Sequence, residues 1–229
     1  MCTARYLSGT SAGLVPHAEI ELPDGTCITT ADRSANDLLS DAIGRDLELV
    51  CVDTSGPVDQ GPAIFETGDL EGELRMMFGL NADDSLPDLN LLGEEASRAT
   101  AAVGTYVDLF PVDILTTSSL RYMQNLLPDS ELPSRRFRPN FLIDDDGAAA
   151  MLREREWIGT SLRLGTAEIA VMADCIRCTM ASAQQPGLAK DMRITRTLVS
   201  DMNQRVSVYC NVAQEGMVRV GDPAIPLKR

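Results

Sequence analysis

Alternation of apolar and polar positions predicts short strands separated by turns, with a few helices. Near the start, Ala18 to Leu22 alternates with period two, Pro23-Asp24-Gly25 has turn chemistry, and Thr26 to Thr30 is rich in β-branched residues. A helix follows, with Leu38, Leu39, Ala42 and Ile43 on one face, Ser34 as its N-cap and Gly44 as its stop. Leu47 to Val52 reads as a closing strand. Further on, Tyr106 to Thr116 reads as one or two strands, and Ser119 as the cap of a helix carrying Leu120, Met123, Leu126 and Leu127. Asn140 to Ile143 is a short strand before the turn Asp144 to Gly147. Ser161 to Leu164 and Ala167 to Met172 form a hairpin around Gly165-Thr166, and Val206 to Val212 pairs with Met217 to Val220. Short strands with regular turns predict a mainly β fold, a barrel or sandwich, preceded by a small α+β unit.

Charge divides the chain further. From Asp53 to Glu95 there are eleven acidic residues and one basic residue, Arg75, so this stretch carries −10 of the net −14. Gly and Pro punctuate it and no periodicity is evident, which predicts a solvated linker or insertion. The expected organisation is therefore a partial N-terminal unit at 1–52, an acidic linker at 53–98 and a larger domain at 99–229.

Composition narrows the function classes. At 44% hydrophobic, the 229 residues suffice for a core. An aromatic content of 4% argues against base-stacking platforms, and the acidic balance opposes nucleic-acid phosphates and anionic membrane surfaces. Small molecules or proteins are the expected partners. No apolar run is long enough for a membrane span. The single histidine, His17, sits among turn formers and excludes mechanisms needing two imidazoles. Six cysteines, without the pattern of a secretory leader, predict mostly free thiols in a reducing, cytoplasmic setting. Cys175 and Cys178 have CxxC spacing, but no second pair supplies the remaining ligands of a zinc site.

Three segments carry candidate chemistry. Arg135-Arg136-Phe137-Arg138-Pro139-Asn140 concentrates positive charge in an acidic protein, and the planar guanidinium fork matches phosphate or carboxylate oxygens. The alternative is surface pairing with Asp144, Asp145 and Asp146. Cys175-Ile176-Arg177-Cys178-Thr179 follows an apolar strand, and a cation beside a thiol favours the thiolate, a ligand for soft metals. Ordinary buried cysteines or a redox dithiol are the alternatives. Thr116-Thr117-Ser118-Ser119 lies at a strand-to-helix junction, where hydroxyls either bind an anion or simply cap the helix.

In this order these segments resemble the MOSC domain, the molybdenum-cofactor sulfurase C-terminal domain. The matching stretches are Pro111 to Leu120, Arg136 to Asn140, Trp157 to Gly165, Cys175 to Thr179 and Val218 to Pro223. Residues 18–50 are similar to part of the β-rich domain that often precedes it. The resemblance implies a β-barrel and a molybdenum-molybdopterin cofactor; pyridoxal phosphate is not expected. In the branch typified by the mitochondrial amidoxime-reducing component, a cysteine coordinates the metal, and Cys178 takes that position. The resemblance places Arg138 and Asn140 at the pterin and its phosphate, Thr117 and Ser118 near the cofactor edge, and Arg177 as electrostatic support for the thiolate. It implies reduction of N-hydroxylated or N-oxide substrates with electrons from a partner protein. One departure stands out: the family's Tyr-Pro-x-Lys-Ser motif is missing, and Lys190 and Lys228 are the chain's two lysines. Weaker phosphate binding would suit a non-catalytic carrier of cofactor or sulfur, or a degenerate scaffold without cofactor.

Overall fold

The computed structural model describes residues 2–7, 16–49, 69–89, 110–145 and 149–227. The chain divides into two compact units, Met1–Val58 and Asp59–Arg229.

In the first unit, β1 (Thr3–Tyr6), β2 (Ala18–Glu21) and β3 (Cys27–Thr29) form an antiparallel sheet in that order. The β2–β3 turn closes as its sequence dictates. Gly25 adopts φ 86° and the Asp24 carboxylate accepts from Thr26 N at 2.9 Å. Helix α1 (Ala35–Ile43) stops at Gly44 in the left-handed conformation, and Leu39 and Ala35 pack on Ile20, Leu22 and Ile28. Ser34 occupies the N-cap position, but its side chain makes no capping bond. The predicted strand from Leu47 is not one through Leu49, and residues 50–52 lie outside the described residues. Polar side chains of α1 satisfy that backbone instead: Ser40 Oγ accepts from Leu47 N at 3.1 Å and Asn36 Oδ1 from Leu49 N at 3.0 Å.

The second unit is built on six strands: β4 (Val112–Thr116), β5 (Phe141–Ile143), β6 (Ser161–Leu164), β7 (Ala167–Ile176), β8 (Arg205–Gln214) and β9 (Ala224–Leu227). Their order is β5-β4-β8-β7-β6-β9, and only β4–β5 is parallel. The sheet curls into a half-barrel. Alternate residues of β6 and β7, including Leu162, Leu164, Ile169 and Val171, meet Ile114 and Val208 in its interior. Gly165 makes the β6–β7 turn possible. It has φ 56°, and a Cβ there would collide with the Met217 carbonyl.

The described residues of this unit also form helices α2 (Leu70–Phe78), α3 (Thr117–Leu126) and α4 (Met192–Met202). Helix α2 lies within the acidic stretch read as a linker. Leu74 and Phe78, four apart, pack against Ala173 and Ile176 of β7, so this part of the stretch is ordered by an apolar stripe beneath its charge. The N-cap of α3 is Thr116, which accepts from Ser119 N at 3.2 Å; Ser119 belongs to the first turn. Helix α4 has no strong sequence signal because Ile194, Thr195, Thr197 and Val199 are β-branched. Burial of Ile194, Leu198 and Met202 along one face overrides that propensity. The strand expected at Met217 to Val220 is a loop; β8 pairs with β4 and β7 instead, and Ala224–Leu227 pairs with β6. Met217 instead clasps the turn, its carbonyl accepting from Thr166 N at 3.0 Å and its N–H donating to Thr166 Oγ1 at 2.8 Å.

Candidate functional site

The Arg-Phe-Arg-Pro-Asn segment and the Cys-Ile-Arg-Cys segment face each other across a cleft of about 320 Å³ in the second unit. A 3-10 turn at Ser134–Arg136 leads into the first segment. Arg136 is only 3% exposed, and its guanidinium donates to the carbonyls of Glu131, Ala181, Ala183 and Ala189 at 2.7 to 3.3 Å. This arginine staples the loop to the Thr179–Ser182 turn and is not available to a ligand. Arg138 differs. It is exposed on the cleft in the left-handed conformation, φ 54°, and makes no side-chain hydrogen bond or ion pair among the described residues. Pro139 disfavours the right-handed helical region for the residue before it. A non-glycine residue held left-handed with a free cation facing a cleft is the kind of stored strain that collects at functional sites. Asn140 ends the segment by pinning it to β4. Its Oδ1 accepts from Asp113 N at 2.8 Å and its N–H donates to Asp113 O at 2.9 Å, leaving the side-chain amide hydrogens for the cleft.

The opposite wall comes from the end of β7. Cys175 is buried, and burial pushes its thiol up to about 12, so it stays protonated near neutrality. Cys178, half-buried, lines the cleft at the start of the Thr179–Ser182 turn and packs beside Leu74 and Phe78 of α2. Both cysteines line the cleft, but Cys175 is only 3% exposed, so Cys178 offers the more accessible sulfur.

Between the walls lies a polar floor that sequence reasoning did not assemble. The Arg177 and Asp113 side chains, 12% and 13% exposed, pair at 3.0 Å through both carboxylate oxygens. Arg177 also donates to the Phe137 carbonyl at 2.7 Å and the Val206 carbonyl at 2.9 Å, and its guanidinium lies 5.6 Å from the Phe137 ring centroid. Ser207 completes the group, donating to Asp113 Oδ2 at 2.7 Å while accepting from Arg177. Ser207 has φ 69° at a bulge of β8, which frees its N–H to reach Glu154 Oε1 at 3.0 Å. Arg177 is thus committed to the protein, joining the arginine loop to β4 and β8. Tyr209 from β8 stacks on Phe110 at 5.1 Å and lines the same cleft.

Thr117 and Ser118 are not among the residues lining this cleft. Thr117 Oγ1 donates to Asp145 Oδ1 at 2.7 Å, and Ser118 N donates to the same oxygen at 3.0 Å. Behind them Glu154 is fully buried, accepting from Thr116 Oγ1 at 2.7 Å and Ser119 Oγ at 2.5 Å, and burial raises its pKa above the usual carboxylate range. His17 belongs to the first unit, where Nδ1 lies 3.0 Å from Thr30 Oγ1. Among the described residues no three His, Cys, Asp or Glu side chains converge on a metal position. No described helix is long and apolar enough to cross a membrane.

A curled, mostly antiparallel sheet carrying an arginine loop opposite a cysteine loop defines a β-barrel-type domain with a guanidinium and a thiol on one cleft. The MOSC domain family model matches residues 103–224, more than half of the chain. The chain belongs to the MOSC domain family, a family associated with the molybdenum cofactor. Among solved structures it is similar to the crystal structure of YiiM from Geobacillus stearothermophilus, at 18% identity and a TM-score of 0.36. That match covers 52% of this chain and 54% of the other, so the chain spans about half the length of that protein. No curated protein sequence matches it.

Proposed function

We propose that the chain binds a molybdenum-pterin cofactor in the cleft and works as an oxidoreductase on small N-hydroxylated or N-oxide substrates, taking electrons from a partner protein. The observation that carries this reading is a half-buried thiol, Cys178, sharing one cleft with Arg138, a cation that no described residue neutralises. The donor set fits the group. A soft thiolate suits the metal, a planar guanidinium suits a phosphate, and the Asn140 amide offers hydrogens to ring carbonyls or nitrogens. When bound, such a cofactor supplies two-electron transfer at the metal. The protein's own groups hold and orient. Asn140 and Asp113 fix the arginine loop to β4, Arg177 ties that loop to β8, and Arg136 ties it to the turn after Cys178. Burial keeps Cys175 protonated, and Cys178 is the more accessible thiol of the pair.

Production in a molybdenum-replete host followed by metal analysis tests the reading. Near-stoichiometric molybdenum is expected, falling to about a tenth of an equivalent or less in Cys178→Ala. Metal that is absent from the native protein, or unaffected by the substitution, overturns it. One observation favours hand-off to another protein: of the arginines lining the cleft, Arg138 alone is uncommitted, a modest grip for a phosphate. Cofactor that co-purifies yet supports no reduction of N-hydroxy compounds would assign the chain that carrier role.

A further inference from the structure

The curled sheet is not closed. Its outer strands, β5 and β9, do not pair with each other, yet Leu142 and Ile143 of one and Ala224 and Pro226 of the other line a single cavity of about 870 Å³. None of its lining residues is shared with the Cys178 cleft. Strand edges left facing a gap expose unpaired backbone groups, and Pro226 removes one donor from the β9 edge.

Three groups give the gap a chemistry. Asp145 lines it with a side chain only 7% exposed. Oδ1 of that carboxylate accepts from Thr117, Ser118 N and Arg121, whereas the buried Oδ2 has no partner among the described residues. A buried carboxylate oxygen without a donor is costly, and a ligand N–H removes the cost. Arg153, also on the lining, makes no side-chain hydrogen bond or ion pair among the described residues, so its fork is open to an anion. Trp157, the chain's single tryptophan, adds an aromatic wall, and Leu142 and Pro226 add apolar surface. A divalent ion is a poor fit, because no three ligating side chains converge among the described residues. An organic ammonium needs only one carboxylate partner and gains from an aromatic face.

We propose that the gap between the two sheet edges is a second small-molecule site, taking an amino-acid zwitterion with an apolar or aromatic side chain: ammonium on Asp145, carboxylate on Arg153, side chain along Trp157. This site is independent of the cofactor reading.

Trp157 emission, excited at the red edge, reports on this cavity alone because no other tryptophan is present. Titration of the full chain with L-phenylalanine should give a saturable change. Phenethylamine, lacking the carboxylate, and hydrocinnamate, lacking the ammonium, should each bind about tenfold more weakly. Asp145→Asn should weaken L-phenylalanine about tenfold, as should Arg153→Gln, which spares the start of α3; Cys178→Ser should leave binding unchanged. No saturable response to L-phenylalanine overturns the proposal. Equal affinity for the three probes, or binding that both Asp145→Asn and Arg153→Gln leave intact, overturns it as well.

Discussion

Removing the Asp113 carboxylate tests whether the cleft floor holds the second unit together. Asp113→Ala leaves the Arg177 guanidinium, 12% exposed, without its counter-ion and deprives Ser207 of its acceptor. Deleting one member of a buried pair costs about 3–5 kcal/mol, because the remaining charge stays desolvated. For a protein of this size each kcal/mol moves Tm by roughly 2–4 °C, so a fall of about 6–20 °C is expected. Arg177→Met removes the orphan charge but strands the Phe137 and Val206 carbonyls, at about 1–3 kcal/mol for each carbonyl left buried. The double variant should therefore recover only part of the loss, with a coupling energy of about 2 kcal/mol between the two sites. Urea unfolding of the native protein, both single variants and the double variant supplies the cycle. A loss below about 1 kcal/mol in Asp113→Ala, or additivity within about 0.5 kcal/mol, would refute the claim that this pair fastens the arginine loop to the sheet.

Brief alkylation at pH 8 followed by peptide mapping should modify Cys178 while Cys175 and Cys210 stay protected, because burial pushes both of those thiols up, Cys175 to about 12. Equal labelling of Cys175 and Cys178 would contradict the assignment of the accessible thiol. Arg138→Gly relieves a left-handed arginine and should leave the fold unchanged or up to about 1 kcal/mol more stable while lowering molybdenum content; a destabilised variant would refute the strain. Glu154 binds its proton more tightly folded than unfolded, so its contribution to stability declines as pH rises from its ordinary value, about 4.3, through the raised folded value. Glu154→Gln lacks that decline, so its stability relative to the native protein should grow from pH 4 to pH 7 in urea titrations. A difference independent of pH would show that burial does not shift this carboxyl. Leu162→Ala, at a fully buried position of β6, should cost about 2–5 kcal/mol by the same measurement.

The residues that announced themselves were those with local signatures. Pro23-Asp24-Gly25 closed its hairpin, Gly44 stopped its helix, and the period-two pattern around Gly165-Thr166 gave a true hairpin. Helix α2 escaped notice because charge hid a stripe carried mainly by Leu74 and Phe78, and α4 because β-branched residues fit its face only once packed. At the cleft, Cys178, Arg138 and Asn140 were readable as residue types in a spaced pattern. Their division of labour was not, since Arg136, Arg138 and Arg177 are alike in sequence and differ only in what surrounds them. Asp113 and Ser207 lie 94 residues apart along the chain and meet only through the β4–β8 pairing. A carboxylate inside an apolar strand was the one available hint of the former; a left-handed serine in a bulge left no trace at all.

Helix α2 precedes the stretch recognised as the MOSC domain, yet its side chains cover Ala173, Ile176 and one flank of Cys178. A fragment trimmed to 103–224 would bare that greasy flank to water and unroof the thiol on that side. Such a fragment should therefore aggregate or oxidise sooner than the intact chain, and metal loading measured on it would describe a damaged shell. The smallest piece worth purifying begins upstream of Asp69, the residue that caps α2.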